Sequence, residues 1–169
     1  RRFPTGAKAL WAAERSGIDL RAALGRFYRT PPSFFDVAPP ASRDGVARLL
    51  EDLRGRTPIS DLTERTGKSR FAISRWLSGT AEPRLPDFLR MIEGTSLRLL
   101  DFVAAFVDPT KLPSLKESWL ELQRARRAAY EMPWSHAVLR ALELSRYRAL
   151  PRHETGWIAR ELGIPEDEE

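Results

Sequence analysis

Residues 58–79 read PISDLTERTGKSRFAISRWLSG, and this stretch decides the fold. Pro58 suits the first turn of a helix, where its missing N–H would be unpaired anyway. Leu62 and Thr63 are expected to face inward, with Thr63 small enough to let a second helix pass close. Gly67 falls where the first helix must end in a left-handed residue, a conformation glycine adopts at little cost. Ser69 follows as the cap of a second helix, its side chain accepting from a free amide of the first turn. Ile73 and Trp76, three residues apart, bury one face of that helix, and Gly79 stops it. The expected unit is two short helices joined by a tight turn.

The outer face of the second helix carries Arg70, Phe71, Ser74 and Arg75. These are the residue types that read DNA. An arginine bonds guanine bidentately in the major groove, worth ~1–3 kcal/mol of discrimination, and an apolar ring meets a thymine methyl. Ser74 can bond bases or phosphate. Lys68 and Ser69, at the helix start, suit phosphate, which a helix N-terminus also attracts. Arg65 and Arg84 are further candidates to hold phosphates. Between Arg54 and Arg98 there are nine basic and five acidic residues, a local excess of +4. The partner implied is double-stranded DNA, with the helix at about 69–77 in the groove and Arg70 and Arg75 as the main base readers. One such helix covers few base pairs, so a homodimer is expected.

The longer run ISDLTERTGKSRFAISRWLSGTAEPRLPDFLRMIEGTSLRLLDF, residues 59–102, resembles the Cro/repressor-like (XRE-type) helix-turn-helix family of bacterial transcriptional regulators. Shared features are the turn glycine, Ile-Ser-Arg-Trp in the second helix, and the Ser-Gly and Pro that lead to a further helix. The resemblance covers about Ser42 to Asp108. It implies that Ser60, Ser69, Arg70, Phe71, Ser74 and Arg75 face DNA. Lys68 departs from the pattern, because the family usually has an apolar residue at that turn position. Farther on, RRAAYEMPWSHAVLRALEL lies in a stretch, Leu112 to Leu150, that resembles the segment after the helix-turn-helix in a poorly characterised bacterial regulator family. That resemblance implies no ligand.

Outward from this centre, apolar residues recur at three- and four-residue spacing. Leu49, Leu50 and Leu53 do so, as do Leu89, Ile92, Leu99, Phe102, Val103 and Phe106. Period-two alternation is nearly absent, so the fold class is all-α. Prolines and polar runs divide the chain into three regions: a helical segment over 1–38, the helix-turn-helix domain over 42–108, and a helical region over 110–169. Thr30-Pro31-Pro32-Ser33 ends the first helical unit. Residues 37–42 read as a linker delivering Ser42 or Asp44 as the cap of a helix to about Arg54. Later helices are expected over about Leu115–Tyr130, His136–Leu144 and Thr155–Leu162.

The N-terminal segment echoes the domain's end at an offset of 79. Pro4 falls on Pro83, Leu10 on Leu89, Glu14 on Glu93, Leu20 on Leu99 and Phe27 on Phe106. Ile18 and Leu24 fall on apolar Leu97 and Val103. Arg1 to Thr30 therefore reads as the C-terminal half of a first helix-turn-helix domain in tandem with the second. Its own recognition helix would lie upstream of Arg1, as in a fragment of a longer protein. The alternative is a helical hairpin that supports the complete domain. Thr155 to Pro165 reads in the same way as the first helix and turn of a winged helix, or as a plain amphipathic helix with an acidic end.

Composition narrows the function classes. The formal net charge of +5 and pI near 10.1 favour an acidic partner. The absence of cysteine excludes disulfides, thiol catalysis and cysteine-based zinc sites, and fits a cytoplasmic protein. No apolar run approaches the ~18–20 residues of a membrane span. His136 and His153 have no carboxylate at metal-ligand spacing, and no catalytic set or phosphate-cradling glycine loop is visible. No enzyme, cofactor or metal is expected. Trp11, Trp119, Trp134 and Trp157 are expected in the core, and Arg124, Arg126 and Arg127 on a solvated helix face. The alternative function is a helical protein-interaction module, adaptor or antitoxin-like, with weak or no DNA binding.

Overall fold

The computed structural model describes residues 3–28 and 32–168. The fold is all-α, and among the described residues the sole β pairing is an isolated antiparallel bridge between Thr5 and Arg84. The chain forms two compact units, one up to Lys116 and one from Glu117.

In the first unit the helices are α1 (Gly6–Arg15), α2 (Leu20–Tyr28), α3 (Arg43–Arg54), α4 (Ile59–Thr66), α5 (Arg70–Leu77), α6 (Leu85–Ser96) and α7 (Leu99–Ala104), leading into α8 (Pro113–Glu131). Local chemistry sets their starts. Thr5 caps α1 by accepting from the Lys8 amide, and Ser42 caps α3 by accepting from Gly45 at 2.9 Å. Helix α3 is central: Val46, Leu49 and Leu50, at three- and four-residue spacing, are all fully buried. Against it pack α5 through Ile73 and Trp76, and α6 through Phe88, Met91 and Ile92.

Three sequence expectations change here. The segment 1–38 is not separate from the domain that follows, because Leu10, Leu20, Leu24 and Phe27 belong to the same apolar core as Val46, Leu62 and Phe102. Residues 37–42 are no free linker either. Phe34 and Phe35, in the 3₁₀ turn Ser33–Asp36, and Ala38 are buried, and a Cβ on Gly45 would lie 2.1 Å from the Pro39 carbonyl oxygen. Trp11 is 56% exposed rather than core, with the Arg15 guanidinium 5.8 Å over its ring. Helix α1 buries Gly6, Ala7 and Leu10, an arc centred near Leu10, and Trp11 lies about 100° round from that centre. The expected break at Thr30-Pro31 falls outside the described residues.

The second unit holds the rest of α8 with α9 (Ser135–Glu143), α10 (Ser145–Arg148) and α11 (Trp157–Leu162). Its small core joins α9 and α11 through Ala141, Ile158 and Ala159. Tyr147 packs edge-on against Trp157 at 5.1 Å, and Arg146 pairs with Glu161. Helix α11 ends in left-handed Gly163 before a 3₁₀ turn at Glu166–Glu168, so a helix and turn stand where expected. No strand of a wing is present among the described residues. Nor, among them, is any helix long and apolar enough to cross a membrane.

Candidate nucleic-acid interface

Eight residues make α5 too short to persist alone, so its placement depends on what holds it. Ile73 is 0% and Trp76 9% exposed, which fixes one face against α3. At the start, the Ser69 hydroxyl accepts from the Ala72 amide at 3.2 Å. Before that, Gly67 takes φ 66 and ψ 22, and its amide donates to the Thr63 carbonyl at 2.9 Å, ending α4 as expected. At the end, the Ser78 and Thr80 hydroxyls both donate to the Arg75 carbonyl, and Gly79 takes φ 69.

The small residue between α4 and its neighbour is Thr66, not Thr63. Thr66 is buried, and its hydroxyl donates to the Leu62 carbonyl at 2.5 Å. Above it stands Gly94 of α6, where a Cβ would lie 2.8 Å from Thr66 Cγ2. Thr63 is half-buried and bonds back to the Ile59 carbonyl. Helical geometry gives the reason: Leu62 and Thr66 are four apart and share a face, whereas Thr63 lies a quarter-turn away.

The candidate residues divide into two groups. Ser69, Arg70, Phe71, Ser74 and Arg75 are all exposed on or at the start of α5, and Ser60 is exposed in the first turn of α4. Phe71 is 71% exposed, and the Arg75 guanidinium lies 5.5 Å over its ring. The four-residue spacing of the pair places the two side chains together on the helix surface. Neither Arg70 nor Arg75 has a carboxylate partner among the described residues. Arg48, Arg54, Arg90 and Arg98, on α3, α6 and the α6–α7 turn, each pair with an acid.

The other three cations are engaged elsewhere. Lys68 Nζ lies 2.8 Å from Asp87 Oδ1 at the start of α6, so the atypical turn residue ties the turn to α6. Arg65 Nη1 donates to the Gly94 carbonyl at 3.1 Å, and Arg84 Nη1 to the Phe3 carbonyl at 3.1 Å. Ser60 bonds to neighbouring Asp61 at 3.0 Å.

The charge is uneven along the chain. Residues 1–116 hold twenty basic and thirteen acidic side chains, and 117–169 hold eight and ten. The basic excess thus lies in the unit that carries α5. Comparison with protein-family models, with curated proteins and with solved structures finds no match to this chain.

Proposed function

We propose that this protein binds double-stranded DNA sequence-specifically, as a transcriptional regulator, by laying α5 in the major groove. One observation carries the reading. The solvent face of α5 presents two arginines without acidic partners among the described residues, an exposed aromatic ring and two serines, while its opposite face is locked into the core. A groove-reading helix has to be rigid on one side and chemically free on the other. Arg70 and Arg75 are the proposed base readers, Phe71 the thymine-methyl contact, and Ser69 and Ser74 bonds to phosphate or base. Ser60 extends the face onto α4. The resemblance to helix-turn-helix regulators supports the same assignment.

A second reading, a protein-interaction module, is favoured by the exposure of Phe71, since solvated aromatics also anchor protein contacts. Salt separates the two. DNA affinity that falls steeply with ionic strength belongs to phosphate contacts. The decisive experiment selects DNA from a random-sequence pool with the full chain, beside an Arg70→Ala/Arg75→Ala variant. An enriched motif that the variant loses is the expected result. No enrichment at low salt would sink the reading.

One reading helix gives little specificity, so a second copy of the chain, as in a homodimer, is part of the proposal.

A further inference from the structure

Two independent observations meet between α1 and α6. The first is the repeat, which places α1 and α2 on α6 and α7 at an offset of 79. The second is how those copies touch. The Gly6 amide donates to the Pro83 carbonyl at 3.0 Å, and the Leu85 amide donates to the Pro4 carbonyl at 2.8 Å. Each bond is the image of the other: 79 residues beyond Gly6 is Leu85, and 79 beyond Pro4 is Pro83. The bridged residues, Thr5 and Arg84, are themselves equivalents. At the other end, Arg26 Nη2 donates to the Ala105 carbonyl at 2.8 Å, and these residues are again 79 apart.

Reciprocal contacts between two copies of one unit are the signature of a two-fold interface, and residues on its axis meet their own counterparts. Any antiparallel bridge carries two such bonds, so the information lies in the register: the bridge and the separate Arg26–Ala105 bond both keep the offset of the sequence repeat, which a supporting hairpin of unrelated origin has no reason to do. The two points define a local dyad, with α1 facing α6 at one end and α2 facing α7 at the other. Its flanks are packed: Phe27 meets Phe102 edge-on at 5.5 Å, and the Arg98 guanidinium sits 4.7 Å over Phe27. A Cβ on Gly6 would lie 2.9 Å from Phe88 Cγ. Leu10 and Leu89, another equivalent pair, line the same apolar groove of about 320 Å³.

We infer that the α6–α7 face is a two-fold interface satisfied within the chain, with α1–α2 occupying the place that α6–α7 of a second copy would take. DNA is read with this interface closed, a clause that rests on the function proposed above. A homodimer must then form through another surface, and no operator symmetry is generated through this face.

A disulfide tests this directly. The chain has no cysteine, so two introduced thiols pair only with each other. Thr5 and Arg84 form a non-hydrogen-bonded antiparallel pair, whose Cα atoms lie about 4.5 Å apart, within disulfide range. The Thr5→Cys/Arg84→Cys chain, oxidised at low concentration and run without reductant, should remain a monomer with both thiols consumed. Crosslinks between chains, or no crosslink, overturn the inference. Oxidised and reduced forms should bind the selected DNA within about twofold of each other, whatever the loss of Arg84 itself costs both. A more than tenfold loss on oxidation, reversed by reductant, shows that the face must open and overturns the closed-state clause. If neither form nor the unmodified chain binds DNA, the proposed function fails, and the crosslink pattern still decides the interface. In the unmodified chain, the Gly6 and Leu85 amides should resist hydrogen exchange in the monomer; rapid exchange there also overturns it.

Discussion

The contact between Gly94 and Thr66 sets how closely α6 approaches α4, and a pair of substitutions measures it. In Gly94→Ala the new methyl would sit 2.8 Å from Thr66 Cγ2, 3.7 Å from Arg65 Cβ and 3.9 Å from Leu62 Cδ2. Thr66 cannot swing aside freely, because its hydroxyl donates to the Leu62 carbonyl and accepts from the Lys68 amide at 3.3 Å. Alanine gains up to about 1 kcal/mol over glycine in a helix, while overpacking costs about 1–3 kcal/mol. The net expectation is a loss of about 0.5–2 kcal/mol. Thr66→Ser removes Cγ2 but keeps both hydroxyl bonds, and deleting one buried methyl costs about 1 kcal/mol. In the double variant the alanine methyl enters the space Cγ2 has left. The loss should then shrink to about 0.5 kcal/mol, a coupling of about 1–2 kcal/mol in favour of the pair. Urea unfolding of the four chains, followed by circular dichroism, gives the cycle. Losses that simply add, within about 0.5 kcal/mol, would refute the close approach.

Other consequences are simpler to state. Trp76→Ala should destabilise the first unit by about 3–5 kcal/mol, and thermal melting would show it. Leu97 holds φ 55 while 68% exposed, a conformation that costs a bulky residue about 1–2 kcal/mol. Leu97→Asn should therefore raise stability by about 0.5–1 kcal/mol, since asparagine tolerates the left-handed region; an unchanged melt would contradict this. The Tyr28 hydroxyl is buried beside Asp52. Burial, with the Asp52 charge close by, holds its phenol well above the ordinary value near 10. Because the folded state keeps this proton more tightly, the stabilisation is complete below about pH 10 and is lost as pH rises beyond it. Tyr28→Phe should flatten that alkaline loss in a series of unfolding curves, and an equally steep loss would rule Tyr28 out as its source.

Local signals were legible in the sequence because local chemistry makes them. Gly67, Ser69 and Ser42 announce a left-handed helix end and two caps, and each does what its side chain dictates. The buried pair Ile73 and Trp76, the exposed face opposite, and the 79-residue offset were likewise readable from spacing. Tertiary pairings were not. Nothing in the order of residues says that Lys68 meets Asp87, that Arg84 spends its guanidinium on the Phe3 carbonyl, or that Pro39 covers Gly45. Thr63 lies about 100° round from Leu62, at the edge of the buried face, whereas Thr66, four residues on, shares that face, so the period favours Thr66. The repeat shows that two segments are alike, and only their packing brings equivalent residues, Thr5 with Arg84 and Arg26 with Ala105, into contact.

If α5 reads DNA as proposed, the Lys68–Asp87 pair decides what the turn contributes to the affinity. Lys68 sits directly before the cap of α5, where phosphate contacts gather, yet its ammonium is held at 2.8 Å by a carboxylate that Arg90 also approaches at 3.4 Å. With side chains 28% and 22% exposed, the pair is sheltered enough to persist and too wet to be worth more than about 1 kcal/mol. A lysine that binds phosphate releases counterions and contributes about 0.9 to the slope of log affinity against log salt. A lysine that stays with Asp87 contributes almost nothing. Lys68→Ala should therefore leave the slope unchanged. Asp87→Asn should free the ammonium, raise affinity for all sequences alike, and steepen the slope by about 0.9 without altering the preferred motif, because no base contact changes. If Lys68→Ala instead lowers the slope by about one in the presence of Asp87, the lysine abandons its partner on binding, and the turn belongs to the DNA contact rather than to the packing of α6.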